Sequence, residues 1–155
     1  LASVVCKRIR REFEDYCILR VGDVSKEGDL VNLQNQLLSH LKLRSRVIET
    51  LVQGRDNIRN LLYKKRILIV LDDVRTIEQL ENLVGNKEWF GPGSRIVVTT
   101  RDKNLLSSHG VFKIYEMEVL NTDESLQLFH QEAFKGELPK EEYLELSKRF
   151  VSYTG

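Results

Sequence analysis

The chain has only two cysteines, Cys6 and Cys17, and their spacing fits neither a metal site nor a redox pair. No disulfide framework is expected, and a reducing, cytoplasmic compartment suits that usage. The two thiols sit among apolar residues and read as small core groups. No apolar run approaches the roughly 18 residues of a membrane span, and no secretory signal opens the chain, so no membrane partner is expected. Neither sign of charge dominates: 24 basic residues face 23 acidic ones, for a net charge of +1. Bulk charge therefore supplies no nucleic-acid surface, and no direct nucleic-acid partner is expected. The three histidines, His40, His109 and His130, have no ligand spacing. Internal repeats and low-complexity tracts are absent.

What is present centres on residues 66–73, Arg-Ile-Leu-Ile-Val-Leu-Asp-Asp. Ile67 to Leu71 form an unbroken apolar run followed at once by two acids. Such a run reads as a strand buried on both faces, which belongs to a parallel sheet covered by helices. Asp72 and Asp73 then lie at the carboxyl end of the strand, where open α/β sheets bind ligands. Two adjacent carboxylates there are costly unless a cation or a cationic side chain faces them. A buried strand ending in an Asp-Asp turn or helix cap is the plainer alternative. The strand-then-acids pattern also matches a Walker B element, in which the acid holds Mg²⁺ through water and a neighbour orients the attacking water.

The rest of the chain supplies the layers. Residues 1–13 set Leu1, Val4, Val5 and Ile9 opposite Lys7, Arg8, Arg10 and Arg11, the end of a helix with a solvated basic face. Residues 16–21 predict a short buried strand. Helical spacing follows over 29–43, and over 47–64 with Ile48, Leu51, Ile58, Leu61 and Leu62 inward; Gly54 marks a break near Gln53–Arg55. Residues 77–84 fit a short helix with Ile77, Leu80, Leu83 and Val84 inward. Trp89-Phe90 reads as a packing plug before the Gly91-Pro92-Gly93-Ser94 turn. The strand Arg95-Ile-Val-Val-Thr-Thr brings Thr99, Thr100 and Arg101 to the same sheet edge as the two acids if the strands are parallel. Alternation then turns one of the two threonines into the core.

Asp102 to Ser108 predicts a short helix closed by Gly110, and 112–119 a last, weaker strand. Thr122-Asp123-Glu124 caps a helix carrying Leu126, Leu128, Phe129 and Phe134. Pro139 begins another, with Tyr143, Leu144, Leu146, Phe150 and Val151. The expected architecture is a doubly wound α/β layer over residues 1–119, followed by the start of a helical subdomain over 120–155. The first residue is Leu and the last is Gly155, so both ends look cut from inside a longer protein.

The run from Lys64 to Val74, Lys-Lys-Arg-Ile-Leu-Ile-Val-Leu-Asp-Asp-Val, resembles the kinase-2 motif of the NB-ARC family. Gly93-Ser94-Arg95-Ile96-Val97-Val98-Thr99-Thr100-Arg101-Asp102 resembles that family's next motif. The stretch from Tyr115 to Asn121, with Glu124-Ser125-Leu126-Gln127-Leu128-Phe129 and Ala133-Phe134, resembles the one after it. The order and spacing of the three are more specific than any one alone. Val24-Ser25-Lys26 and Leu33-Gln34-Asn35-Gln36-Leu37-Leu38 resemble the form found in TIR-type plant disease-resistance receptors. Arg75 departs from pattern, because the TIR group usually carries Asp there and the non-TIR group Trp.

The resemblance implies an ADP/ATP-binding switch in an intracellular immune receptor for plant defence. ADP would be held at rest, ATP would enter on activation, and self-association would follow. It also implies a P-loop NTPase-like parallel sheet that lacks its P-loop strand in these residues. A P-loop needs Gly-Lys-Ser/Thr, because backbone amides and the Lys ammonium cradle the phosphates. None of the nine glycines is followed by Lys. Residues 1–155 in isolation are therefore expected to bind nucleotide poorly or not at all, and slow ATPase activity is expected only in the intact domain.

By the same resemblance, Asp72 is the acid linked through water to Mg²⁺, and it contributes to cofactor binding. Asp73 either positions the attacking water or holds the switch by hydrogen bonding. Arg101 is the sensor whose guanidinium can read a γ-phosphate, or else forms a salt bridge to Asp72 or Asp73. Thr99 and Thr100 can each add a hydroxyl at this edge, with Thr100 assigned to the nucleotide. Expected partners are an adenine nucleotide, other domains of the same receptor and further copies on activation. The competing functions are an ATP-hydrolysing enzyme of another class and an interaction scaffold that has lost nucleotide binding.

Overall fold

A computed structural model describes residues 6, 8–43, 46–108, 113–135 and 141–154. Residues 1–5 and 7 of the expected first helix, the closing Gly110, His109, and Pro139 fall outside that set. The chain divides into two compact units, Leu1–Lys113 and Ile114–Gly155.

The first unit is built on three parallel strands in the order β1-β2-β3: β1 is Asp15–Arg20, β2 is Ile67–Asp72 and β3 is Arg95–Val98. β2 is central and pairs in parallel with both neighbours. That position explains the unbroken apolar run, since both of its faces are covered. Ile67, Ile69 and Leu71 join Leu30, Leu37, Leu62 and Leu80 in the larger core cluster. Leu68 and Val70 point the other way, into a smaller cluster with Cys6 and Phe13. All five side chains from Ile67 to Leu71 are fully buried. At about 1.5–3 kcal/mol for each large aliphatic side chain removed from water, these five residues make β2 a major source of hydrophobic stabilisation in this unit.

Helices α1 (Glu27–His40), α2 (Leu51–Leu62) and α3 (Ile77–Leu83) contribute to the larger cluster. Helix α2 begins at residue 51 rather than 47 because Thr50 takes an extended backbone and its hydroxyl accepts the Gln53 amide. Gly54 does not break this helix. It is buried where α2 meets α1, and a β-carbon there would collide with the side-chain amide of Gln34. Gln34, itself fully buried, donates from Nε2 to the carbonyls of Asn82 at 2.9 Å and Leu51 at 3.2 Å. The glycine therefore provides a close approach between elements, not a bend.

Thr76 and Gln79 close a reciprocal capping box at the start of α3. Ile77, expected inward, is instead 38% exposed, because the cap sets the helical phase so that Gln79, Leu80, Asn82 and Leu83 face the core. Phe90 is buried in the larger cluster with Trp89 packed against it. Helix α4 (Lys103–Ser108) follows β3.

The strand expected over 112–119 does not form in the described part. Residues 113–121 are irregular and belong to none of the three strands. The segment leaves Tyr115, Met117 and Val119 exposed and intersperses them with Lys113, Glu116 and Glu118. An extended sequence without a covered face has nothing to repay the entropy of pairing.

The second unit contains α5 (Thr122–Ala133) and α6 (Glu141–Thr154). The cap of α5 is Asn121, one residue before the expected cap, in a capping box with Glu124. The two helices meet through aromatic rings: Phe129 and Phe150 lie 5.0 Å apart between centroids, and Phe134 and Tyr143 lie 6.1 Å apart. Among the described residues, no helix is long and apolar enough to cross a membrane.

Candidate functional site

Parallel pairing brings the carboxyl ends of all three strands to one edge. The register sets Arg20 opposite Asp72 and Leu71 opposite Val98. Backbone pairing continues past the strands: Thr99 N–H donates to the Leu71 carbonyl and Val74 N–H to the Thr99 carbonyl, each at 2.9 Å. A shallow cavity of about 340 Å³ opens at this edge, lined by Arg20, Asp72, Asp73, Thr99, Thr100 and Arg101. Two guanidinium groups thus share a depression with two carboxylates, which suits a polyanion accompanied by a cation.

Thr99 organises the acids. Its hydroxyl donates to Asp72 Oδ1 at 2.7 Å and accepts the Asp73 amide at 2.9 Å. The threonine therefore orients the Asp72 carboxylate while satisfying a backbone donor at the strand end. Asp73 has a left-handed backbone, with φ of 59°. Asp tolerates this region better than most residues, but in a non-glycine it marks local strain held by its surroundings. The Asp73 carbonyl accepts the Gly22 amide at 3.0 Å. Gly22, with φ of 65°, has the same left-handed backbone, and a β-carbon there would lie 3.9 Å from Asp73 Oδ2.

The loop after β1 is tied to the residues after β2. Gln79, buried, donates from Nε2 to the carbonyls of Gly22 at 3.0 Å and Val24 at 2.8 Å. Its Oε1 accepts the Arg75 amide at 2.8 Å and the Thr76 amide at 3.2 Å. The Arg75 guanidinium reaches Asp73 Oδ2 at 3.1 Å and Asp23 Oδ2 at 3.3 Å. The hydrogen bond and charge of Asp73 push the Arg75 pKa above its ordinary value.

The four site residues read from sequence, Asp72, Asp73, Thr100 and Arg101, line this one cavity. The fold sets their detailed contacts. Arg75, not Arg101, makes the salt bridge to Asp73, while Arg101 is exposed at the rim. The hydroxyl bonded to the acid is that of Thr99. Thr100 Oγ1 accepts the Asp102 amide at 3.1 Å. Sequence reasoning does not single out Arg20, Gln79 or Asp23. Arg20 is accessible in principle as the last residue of β1, but only once the register with β2 is known.

The acids fit a hydrated magnesium ion better than a caged metal. Among the described residues, no group of three or more His, Cys, Asp or Glu side chains is placed to hold a metal. Magnesium commonly keeps its waters and takes only one or two carboxylates alongside phosphate oxygens. Asp72, with one oxygen fixed by Thr99 and set at the cavity, meets that requirement.

A second cavity, of about 320 Å³, is lined by Asp15, Tyr16, Cys17, Ile18, His40 and Lys42. Cys17 Sγ lies 3.5 Å from His40 Nδ1. Burial, with smaller contributions from Asp15 and Cys6, pushes the Cys17 thiol up to about 12. A thiol so disfavoured as thiolate is a core group, not a nucleophile.

Comparison with known proteins identifies the family. Residues 1–139 match the profile of the NB-ARC domain. Disease resistance protein RPV1 of Vitis rotundifolia is 39% identical over 99% of this chain, which covers 11% of that protein. Disease resistance protein RUN1 of the same species is 38% identical over 99% of the chain, and TMV resistance protein N of Nicotiana glutinosa is 40% identical over 92%. The chain covers 12% of each of these two. It thus spans only about an eighth or less of these relatives' lengths.

Proposed function

Because the chain belongs to the NB-ARC family, we propose that it forms part of an ADP/ATP-dependent switch within a plant disease-resistance receptor. Its first unit is a partial nucleotide-binding subdomain, and the helices after residue 120 begin the ARC subdomain. The observation that carries this reading is the cavity at the carboxyl edge, where Asp72, Asp73, Arg20 and Arg101 converge. The resemblance of residues 24–38 to TIR-type receptors favours that subclass, and the receptor context favours the cytoplasm.

Within this proposal Asp72 holds Mg²⁺ through water, and Thr99 keeps the Asp72 carboxylate aimed. The ion supplies charge neutralisation at the phosphates. Arg101 reads the terminal phosphate from the rim, and Arg20 offsets phosphate charge from β1. Asp73 orients the attacking water, and hydrolysis, slow overall, serves to reset the switch. The Gly-Lys-Ser/Thr cradle is not among these 155 residues, so phosphate binding depends on the rest of the receptor. So do contacts with other domains and self-association on activation.

The test is nucleotide content. The receptor's full nucleotide-binding region is purified and denatured, and the released nucleotide is identified. Stoichiometric ADP in the wild type, with loss in Asp72→Ala and a lowered ATP-to-ADP preference in Arg101→Ala, is the expected result. A well-folded sample that releases no nucleotide leaves only the scaffold reading.

A further inference from the structure

We propose that Arg75 is a positioning residue that restrains Asp73, so that the Arg75–Asp73–Asp23 bridge acts as a brake on hydrolysis. This inference rests on the nucleotide-switch reading above. The backbone of Asp73 is held on both sides, by the Thr99 hydroxyl at its amide and the Gly22 amide at its carbonyl. Only rotation of the side chain can redirect its carboxylate. Among the described residues, Arg75 is the one side chain bonded to that carboxylate, at 3.1 Å.

The far end of the guanidinium is anchored as well. Asp23, on the loop after β1, takes Nη1 at 3.3 Å. The Arg75 amide is fixed by Gln79 Oε1, and the same Gln79 side chain holds the loop through Gly22 and Val24. Arg75 thus spans two segments already tied together, and Asp73 Oδ2 is drawn toward the Gly22–Asp23 loop. A carboxylate oxygen that accepts a guanidinium proton has less capacity to accept one from water. While the bridge stands, Asp73 is a poorer acceptor for the attacking water.

Exposure bounds the effect. The Arg75 and Asp23 side chains are 49% and 84% exposed, so the bridge is screened by salt and easily opened. A brake of this kind changes a rate by about two- to fivefold, the scale of an exposed ion pair. It does not abolish turnover.

The experiment is single-turnover hydrolysis of pre-bound ATP by the receptor's full nucleotide-binding region, at about 50 mM and about 500 mM KCl, a range across which the screening length shortens severalfold. Arg75→Ala should hydrolyse about two- to fivefold faster than wild type at low salt, with ATP affinity unchanged. Arg75→Lys should stay closer to wild type. High salt should raise the wild-type rate toward that of Arg75→Ala and leave the variant's rate nearly constant, a signature that a purely structural role would not produce. An Arg75→Ala rate equal to or below wild type, in a protein that hydrolyses ATP, overturns the brake alone. A wild-type protein that binds no nucleotide overturns the switch reading and the brake with it.

Discussion

The Thr99 hydroxyl donates to Asp72 Oδ1 at 2.7 Å, across the gap between two neighbouring parallel strands. The Thr99 hydroxyl oxygen in turn accepts the amide of Asp73. One uncharged side chain therefore sets the aim of one acid and the backbone of the next.

Replacing Thr99 by Val keeps the shape and removes both bonds. Hydrogen bonds to charged groups contribute about 1.5–3 kcal/mol, so Mg²⁺-dependent ATP affinity should fall by about tenfold or more. Thr99→Ser should recover most of it. Titration of ATP with and without Mg²⁺ in the nucleotide-binding region measures both, and equal affinities for wild type and Thr99→Val would remove Thr99 from the site.

Gln79 satisfies two carbonyls and two amides from a buried position. Gln79→Ala should cost about 2–4 kcal/mol, since each stranded buried group costs about 1–3 kcal/mol and some regain water. Gln79→Glu, nearly isosteric, should be no better, because a carboxylate cannot donate to the Gly22 and Val24 carbonyls. Urea unfolding compares them, and a stable Gln79→Glu protein would contradict the donor assignment.

Gly54→Ala separates helix propensity from packing. In an open helix this change gains about 1 kcal/mol. Here the new methyl group meets Gln34, which must leave its bonds to Asn82 and Leu51. Overpacking and stranded carbonyls together should outweigh the gain by about 2 kcal/mol, lowering Tm by about 4–8 °C. A Tm at or above wild type would show that the interface has room.

Cys17 couples stability to alkaline pH. Its pKa is pushed up to about 12 by burial, with smaller contributions from Asp15 and Cys6. The folded protein therefore keeps a proton that the unfolded chain releases from about pH 8.5 upward. The stabilisation is fully present below that pH and is lost between about pH 8.5 and pH 12. Stability should fall with rising pH across that window, and Cys17→Ala should flatten the slope. Iodoacetamide should leave Cys17 unmodified in the native state and label it after denaturation.

The parallel strands are legible in the sequence because their signals are local. Five consecutive apolar residues need cover on both sides, and only the centre of a layered sheet provides it. The two acids and the Thr-Thr-Arg run can then be assigned to one edge, because parallel strands end on the same side. The 112–119 segment misleads by the same logic. Its alternation of apolar and charged residues is compatible with a strand, but pairing needs a partner and a covered face.

Local patterns thus determined the α/β character, the central strand and the edge at which the polar residues gather. Tertiary structure decided which polar residues meet. Arg20 lines the cavity of the acids only through the register of β1 against β2, and Arg75 pairs with Asp73 and with Asp23 of the loop after β1 at once. Gly54 reads in sequence as a helix breaker and serves in the fold as the place where Gln34 fits. These outcomes depend on distances between residues far apart in the chain, which the periodicity of a single segment does not encode.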